Sequence, residues 1–157
     1  MRFFSYGAPD EPVIASGERK RLRPLLREFS DEELDSLQHF VAELRFAGGA
    51  RIIASGEHSD ALLIIVSGSV QISASKAGKA EREVDRLVEG EVFGISSFLD
   101  GEASAITATA RESTEVLALR RASFAQLAAW KPALAIALLE DLAAYASRRL
   151  RQFQTAC

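Results

Sequence analysis

The chain has 157 residues, of which 48% are hydrophobic and 26% charged, and its formal net charge is −3 at pH 7. These values are ordinary for one globular domain with a buried core, and this charge excludes a general attraction to nucleic acid or anionic lipid. No run of 18 apolar residues and no apolar N-terminal segment occurs, and the one cysteine, Cys157, permits no intrachain disulfide, so we expect no membrane span, no secretory signal and a cytoplasmic location.

Residues 1–28 are predicted to form an N-terminal extension. Its first 17 residues combine structure-breaking glycines and prolines with three aromatic residues, which fits either a docked arm or a disordered terminus. Residues 18–27 carry five basic side chains: Arg19, Lys20, Arg21, Arg23 and Arg27. We interpret them as the solvated face of a helix interrupted at Pro24, with a patch for nucleic acid or a partner as the alternative.

A folded domain over residues 29–154 is predicted to begin with an amphipathic helix at residues 31–42. Ser30 fits the N-cap and Glu33 follows three residues later, which is the pattern of a capping box. Apolar residues then recur at helical spacing: Leu34, Leu37, Phe40 and Val41.

Between about residues 42 and 120 the pattern changes to short apolar or alternating runs separated by glycines at intervals of about 8–12 residues. This pattern predicts antiparallel strands that close into a barrel or jelly roll. Residues 76–79 are predicted as a hairpin tip, and the returning strand at 81–88 contributes Val84 and Leu87 to the core. Further strands are predicted at 106–110 and 115–119.

The last third of the chain is predicted to be helical, from about residue 121 to 153. An alanine-rich helix covers residues 121–130, and Pro132 suits the first turn of a longer helix that reaches about Phe153. The long helix carries an apolar stripe: Leu134, Leu138, Leu142, Tyr145 and Phe153. Its arginines 148, 149 and 151 suit the negative end of the helix dipole and require no ligand. The predicted fold class is therefore mainly β with flanking helices (α+β), an antiparallel jelly roll or barrel with an N-terminal helix and a long C-terminal helix.

The stretch from Gly90 to Leu99 is the candidate functional motif. Gly94 permits a tight bend or a close approach to a ligand, and the amides that follow it would open a helical turn. Unpaired amides at a helix start favour an anion. An ordinary strand-to-helix loop is the alternative interpretation.

Two segments resemble the cyclic nucleotide-binding domain family. Residues 56–70 are similar to its Gly-Glu turn, buried strand and Ser-Gly-x-Val hairpin, and residues 90–107 are similar to its phosphate-binding cassette. The resemblance covers about residues 29–153. It implies a candidate ligand site formed by six residues of the cassette: Gly94, Ile95, Ser96, Ser97, Ser104 and Ala105.

The cassette departs from the family pattern at both side-chain anchors. The resemblance implies a glutamate for the ribose hydroxyl at the position of Ile95, and an arginine for the cyclic phosphate at the position of Ser104, followed here by Ala105. No arginine lies between Arg86 and Arg111, so a small shift of the alignment restores none. We therefore expect binding of cyclic AMP or cyclic GMP in the family manner to be weak or absent, and no other cofactor is expected.

The function predicted is that of a non-catalytic regulatory module that acts through protein–protein contacts or an alternative ligand. The alternative is a genuine cyclic-nucleotide receptor that uses non-standard donors such as Ser96, Ser104 and Thr107. An enzyme is disfavoured because the two histidines, His39 and His58, fall in unlike elements, which leaves no metal cluster or nucleophile–base pair.

The expected partners are another protein or a second copy of this chain. The resemblance implies that the long C-terminal helix forms a dimer seam, whereas packing against the barrel alone is the alternative. Too few residues follow Phe153 for a helix-turn-helix module, so direct DNA binding is not expected.

Overall fold

The computed structural model of the protein describes residues 29–75 and 78–156, and for residues 153–156 it describes the backbone alone. The predicted extension 1–28, its basic segment, and part of the predicted hairpin tip therefore lie outside the described residues. Eight strands are described: β1 (Val41–Phe46), β2 (Arg51–Ile53), β3 (Ala61–Ser67), β4 (Val70–Ala74), β5 (Arg82–Leu87), β6 (Val92–Phe93), β7 (Thr107–Ala110) and β8 (Thr114–Arg120). The α-helices are α1 (Asp31–Leu37), α2 (Ile95–Asp100), α3 (Arg121–Trp130) and α4 (Pro132–Ala156).

The strands form two four-stranded sheets in which every pairing is antiparallel. The strand order is β1-β8-β3-β6 in one sheet and β2-β7-β4-β5 in the other. The predicted jelly roll with an N-terminal helix and a long C-terminal helix is confirmed.

Strand β3 explains why residues 61–66 are apolar without interruption. Its side chains alternate between two buried clusters, because successive residues of a strand point to opposite faces. Leu62, Ile64 and Val66 pack with the helices, whereas Leu63 and Ile65 pack between the two sheets. A strand buried on both faces needs apolar residues at every position, and the sequence supplies them.

The N-terminal helix is shorter than predicted. Its capping box forms: the amide of Glu33 donates to Ser30 Oγ at 3.1 Å, and the amide of Ser30 donates to Glu33 Oε1 at 3.0 Å. The helix ends at Leu37, however, and a single 3₁₀ turn at Gln38–Phe40 leads into β1. The prediction of a helix to residue 42 was wrong because Val41 pairs with Leu119 of β8, and sheet pairing outweighs the local helical spacing.

One predicted core residue is also misplaced. Leu87 of β5 is buried, but Val84 is 47% exposed. Strand β5 lies at the edge of its sheet and pairs only with β4, and Leu87 is its one buried residue.

The long helix α4 begins at Pro132 as predicted and ends at Ala156. Leu134, Leu138 and Leu142 are buried in the core cluster that also contains residues of the strands and of α3, which confirms that this part of the stripe packs on the domain. Because the helix continues to residue 156, the three arginines lie before its last turn, and their assignment to the helix dipole was wrong. Within the described residues, no helix is both long and apolar enough to cross a membrane.

Candidate functional site

The cassette begins at Gly94, which links β6 to α2 through a backbone conformation that excludes other residues. Its φ is +78°, and a Cβ atom placed there would lie 2.7 Å from the carbonyl oxygen of Ala61. Residues with a side chain are disfavoured by the positive φ and by this close approach. Glycine therefore lets the cassette pack directly against the start of β3.

Helix α2 is a short helix held from both sides. Phe98 is buried and meets the ring of Phe124 edge-on, with 5.7 Å between the ring centroids. At its C-terminal end, Arg121 Nη1 donates to the carbonyl oxygens of Phe98 at 2.7 Å and of Leu99 at 3.2 Å. Apolar packing of Phe98 thus holds the helix against α3, and an arginine of α3 satisfies carbonyl oxygens at the end of the helix.

The loop after α2 pairs with the turn before β3. The amide of Gly56 donates a hydrogen bond of 2.8 Å to the carbonyl oxygen of Ser104. The amide of Ser104 in turn donates a hydrogen bond of 2.8 Å to the carbonyl oxygen of Glu57. His58 and Ala103 form an isolated antiparallel bridge beside them. The two segments that the sequence singled out, residues 56–70 and 90–107, are therefore neighbours joined by backbone hydrogen bonds.

The side chain of Ser104 is used within its own turn. Its hydroxyl donates to the carbonyl oxygen of Ile106 at 2.8 Å and accepts from the amide of Ile106 at 3.2 Å. Ser104 is only 8% exposed. The position at which the resemblance implies an arginine thus holds a short neutral group that is already hydrogen-bonded.

All six predicted site residues line one cavity of about 410 Å³. Gly94, Ile95, Ser96 and Ser97 enter it from the start of α2, and Ser104 and Ala105 enter it from the following loop. Seven further residues of the wall are apolar and come from the strands β4, β5 and β6 and from the same loop: Ile72, Val84, Leu87, Val92, Phe93, Ala103 and Ile106. Tertiary structure therefore brings the predicted residues together in a hollow with few polar groups.

Three further residues of this wall were missed by the sequence analysis: Asp85 of β5, and Tyr145 and Arg149 of α4. Arg149 Nη2 forms an ion pair with Asp85 Oδ2, and its Nη1 lies 3.7 Å from Glu91 Oε2. The hydroxyl of Tyr145 accepts a hydrogen bond of 3.0 Å from the amide of Val92. The one signal in the sequence was the spacing of Tyr145 and Arg149, four residues apart and so on one helix face.

Burial affects the titration of two groups at this junction. It raises the pKa of the Glu91 carboxyl, against a smaller opposite effect of a hydrogen bond with the backbone of Val88. Burial also raises the pKa of the Tyr145 hydroxyl, against a smaller opposite effect of its hydrogen bond with the backbone of Val92. The cassette side of α4 is thus partly shielded from water.

A second hollow, of about 420 Å³, lies on the other side of α2 and is a different kind of surface. Its walls include His58, Asp60 and Arg121. Asp60 pairs with Arg120 at 3.1 Å, and Arg121 caps α2, so these charges serve the local structure. Across the described part of the chain, no group of three or more histidine, cysteine, aspartate or glutamate side chains is placed to hold a metal ion.

Comparison with known proteins gives a consistent result. The sequence model of the cyclic nucleotide-binding domain matches residues 43–129. The chain is 36% identical over 130 residues to the cyclic AMP receptor protein of Thermus thermophilus, a match that covers 82% of this chain and 58% of that protein. The chain thus spans less than two thirds of this relative's length.

Solved structures agree with this match. The crystal structure of the Thermus thermophilus catabolite activator protein superimposes with a TM-score of 0.75 at 32% identity, covering 85% of this chain and 61% of that one. A cyclic nucleotide-binding domain from Methylobacillus flagellatus superimposes with a TM-score of 0.81 at 22% identity, covering 87% and 81% of the two chains. The second likeness is one of fold alone.

Proposed function

We propose a function on the basis of family membership, since this chain belongs to the cyclic nucleotide-binding domain family. The chain is a non-catalytic regulatory module, and its cassette does not bind cyclic AMP or cyclic GMP in the family manner. In this proposal it acts through a protein partner, a second copy of itself or a different small ligand, in the cytoplasm. The observation that carries the proposal is the state of Ser104, whose hydroxyl is occupied within its own turn.

The energetic argument concerns the cyclic phosphate. A buried anion needs paired donors, because an unpaired buried ion costs several kcal/mol. A neutral serine in place of an arginine removes a charge-assisted hydrogen bond worth roughly 1.5–3 kcal/mol, about 10- to 150-fold in affinity. Ile95 supplies no acceptor for a ribose hydroxyl, which removes about 1 kcal/mol more.

The alternative, a receptor that relies on non-standard donors, is weakened by the contacts of those donors. Thr107 Oγ1 donates to Glu81 Oε1 at 2.6 Å and accepts from the amide of Ser55 at 3.1 Å. Ser104 is engaged as described above. Of the three hydroxyls considered, two would have to leave existing hydrogen bonds before they could hold a nucleotide.

Calorimetric titration of the purified protein with cyclic AMP and cyclic GMP up to millimolar concentration tests the proposal. We expect no saturable binding below about millimolar, and micromolar affinity for either nucleotide would overturn the proposal. The double substitution Ile95→Glu with Ser104→Arg restores both side-chain anchors and should gain affinity for cyclic AMP. A matched pair, Ile95→Gln with Ser104→Gln, adds similar bulk without charge and should gain none.

Self-association through α4 is the form of partner contact that the described surface supports best. Ile136, Leu139 and Leu150 of α4 are exposed by 56%, 37% and 58%. With Ala143 and Ala146 they repeat at alternating steps of three and four residues, which is the spacing of a coiled-coil seam. This row lies beside the buried row that contacts the strands, so one helix can pack on the domain and on a partner together.

A further inference from the structure

The charges on the cassette cavity limit the kind of molecule that it can hold. Its wall contains two carboxylates, Asp85 and Asp100, and one guanidinium, Arg149. Glu91 lies just behind them, 3.7 Å from Arg149. The charged lining is therefore net negative even before Glu91 is counted, so an anion gains little from Arg149 and is repelled by the carboxylates.

The charged groups also satisfy one another. Arg149 is paired with Asp85, and Asp85 Oδ1 additionally accepts from the amide of Arg86 at 2.8 Å. Asp100 Oδ1 accepts from the amide of Glu102 at 2.8 Å. An anionic ligand that sought Arg149 would have to displace Asp85 and leave that carboxylate without its partner, which is costly at a partly buried site.

The rest of the wall favours apolar contact. Ile72, Leu87 and Phe93 are at most 8% exposed and form the floor of the cavity. Ile95 and Ile106 are half-buried at its sides. A molecule that covers these side chains removes apolar surface from water, which is favourable in proportion to the area covered.

We propose that the cavity beside Gly94 binds an uncharged, mainly apolar small molecule about the size of one or two aromatic rings. This inference rests on the proposed function and deepens it, since it assigns a chemical class to the alternative ligand. The volume of about 410 Å³ falls in the range usual for small-molecule sites, and most of the surface of its wall is apolar.

A pair of probes with the same ring system and different charge tests this proposal. Indole is neutral, and indole-3-acetate carries one negative charge at pH 7. Calorimetric titration should give saturable binding of indole, and a dissociation constant at least about tenfold larger for indole-3-acetate. Equal or tighter binding of indole-3-acetate would overturn the proposal, as would the absence of indole binding up to millimolar concentration.

Two pairs of variants assign the effect to this cavity. Asp85→Asn removes one negative charge from the wall. The dissociation constant of indole-3-acetate, divided by that of indole, should therefore fall roughly tenfold, toward a value of one. Glu112→Gln removes a charge outside the cavity and should leave the ratio unchanged.

Ala105→Trp fills the mouth of the cavity and should abolish indole binding, whereas Ala122→Trp on the exposed face of α3 should not. Retained indole binding in a folded Ala105→Trp variant would place the site elsewhere and overturn the inference.

The indole titrations and the cyclic AMP titration test the two proposals separately. Micromolar binding of cyclic AMP by the unaltered protein would overturn the proposed function whatever the indole probes show. The absence of both indole and cyclic AMP binding would overturn this inference and leave the regulatory module with a macromolecular partner.

Discussion

The backbone amide of Val92 donates a hydrogen bond of 3.0 Å to the hydroxyl of Tyr145, and this contact joins the strand before the cassette to the long helix α4. Val92 is buried, so its amide has little access to water as an alternative acceptor. With the ion pair between Asp85 and Arg149, this bond gives α4 two polar contacts with the strands around the cavity.

The first prediction concerns Tyr145→Phe, which keeps the ring and removes only the acceptor. We expect a loss of about 1–2 kcal/mol in the free energy of unfolding, because a buried amide loses its partner. Urea denaturation followed by circular dichroism measures it. Tyr145→Ala should cost more because it also removes packing, and an equal cost for the two variants would contradict a specific role of the hydroxyl.

The second prediction isolates the close approach at Gly94. Gly94→Ala should destabilise the protein by at least about 2 kcal/mol, because both the positive φ and the contact with the carbonyl oxygen of Ala61 oppose a Cβ atom. Gly101 is the matched control: its φ is +73°, and a Cβ there meets nothing within 4 Å. Gly101→Ala should therefore cost only the conformational part, roughly 1 kcal/mol. Equal thermal shifts for the two variants would show that the contact with Ala61 does not matter.

The third prediction is a pH dependence that arises at Glu43 of β1. Its side chain is only 1% exposed, and neither of its oxygens forms a hydrogen bond within the described part of the chain. Burial and the neighbouring Glu115 carboxyl raise the pKa of Glu43 to about 7, although Arg45, whose Nε lies 3.6 Å from Glu43 Oε1 and 3.3 Å from Glu115 Oε1, opposes the shift.

A carboxyl whose pKa is raised in the folded state binds its proton more tightly there than in the unfolded chain. Stability from this group is therefore present at low pH and is lost as the pH rises from about 4.5 to about 7. Glu43→Gln should remove this loss and stabilise the protein by about 1 kcal/mol at pH 8. This gain is smaller than the full pKa shift would give, because Arg45 stays close and solvent screens the pair. Chemical denaturation at pH 5 and pH 8 compares the two proteins, with the exposed Glu57→Gln as control. A Glu43→Gln variant that is less stable than the original at pH 8 would show that the carboxylate is well compensated there.

The fourth prediction concerns the exposed row on α4. Ile136→Gln combined with Leu150→Gln should lower self-association at least about tenfold, because apolar surface at the proposed seam is replaced by polar side chains. Sedimentation equilibrium measures the dissociation constant. Ala144→Gln, at an exposed position on another side of the same helix, is the control and should leave association unchanged. An original protein that stays monomeric at high micromolar concentration would reject the seam.

Much of the fold follows from local features of the sequence: the capping box at Ser30 and Glu33, the apolar strand β3, the glycine-separated antiparallel strands and the start of α4 at Pro132. These features are local, because hydrogen-bonding side chains, apolar periodicity and the restrictions of glycine and proline act over a few residues. The six residues at the cassette cavity were named from the resemblance of residues 90–107 to the family's phosphate-binding cassette, and all six line one cavity.

The end of α1 could not be predicted from local patterns, because it depends on the pairing of Val41 with Leu119, residues 78 positions apart in the chain. For the same reason the sequence did not place Asp85 and Arg149 on the cavity wall: their pairing depends on how α4 packs across the strands. The exposure of Val84 likewise follows from the edge position of β5 and not from its apolar side chain. Such long-range contacts place the Asp85–Arg149 ion pair on the cavity wall, where it joins Asp100 of the cassette.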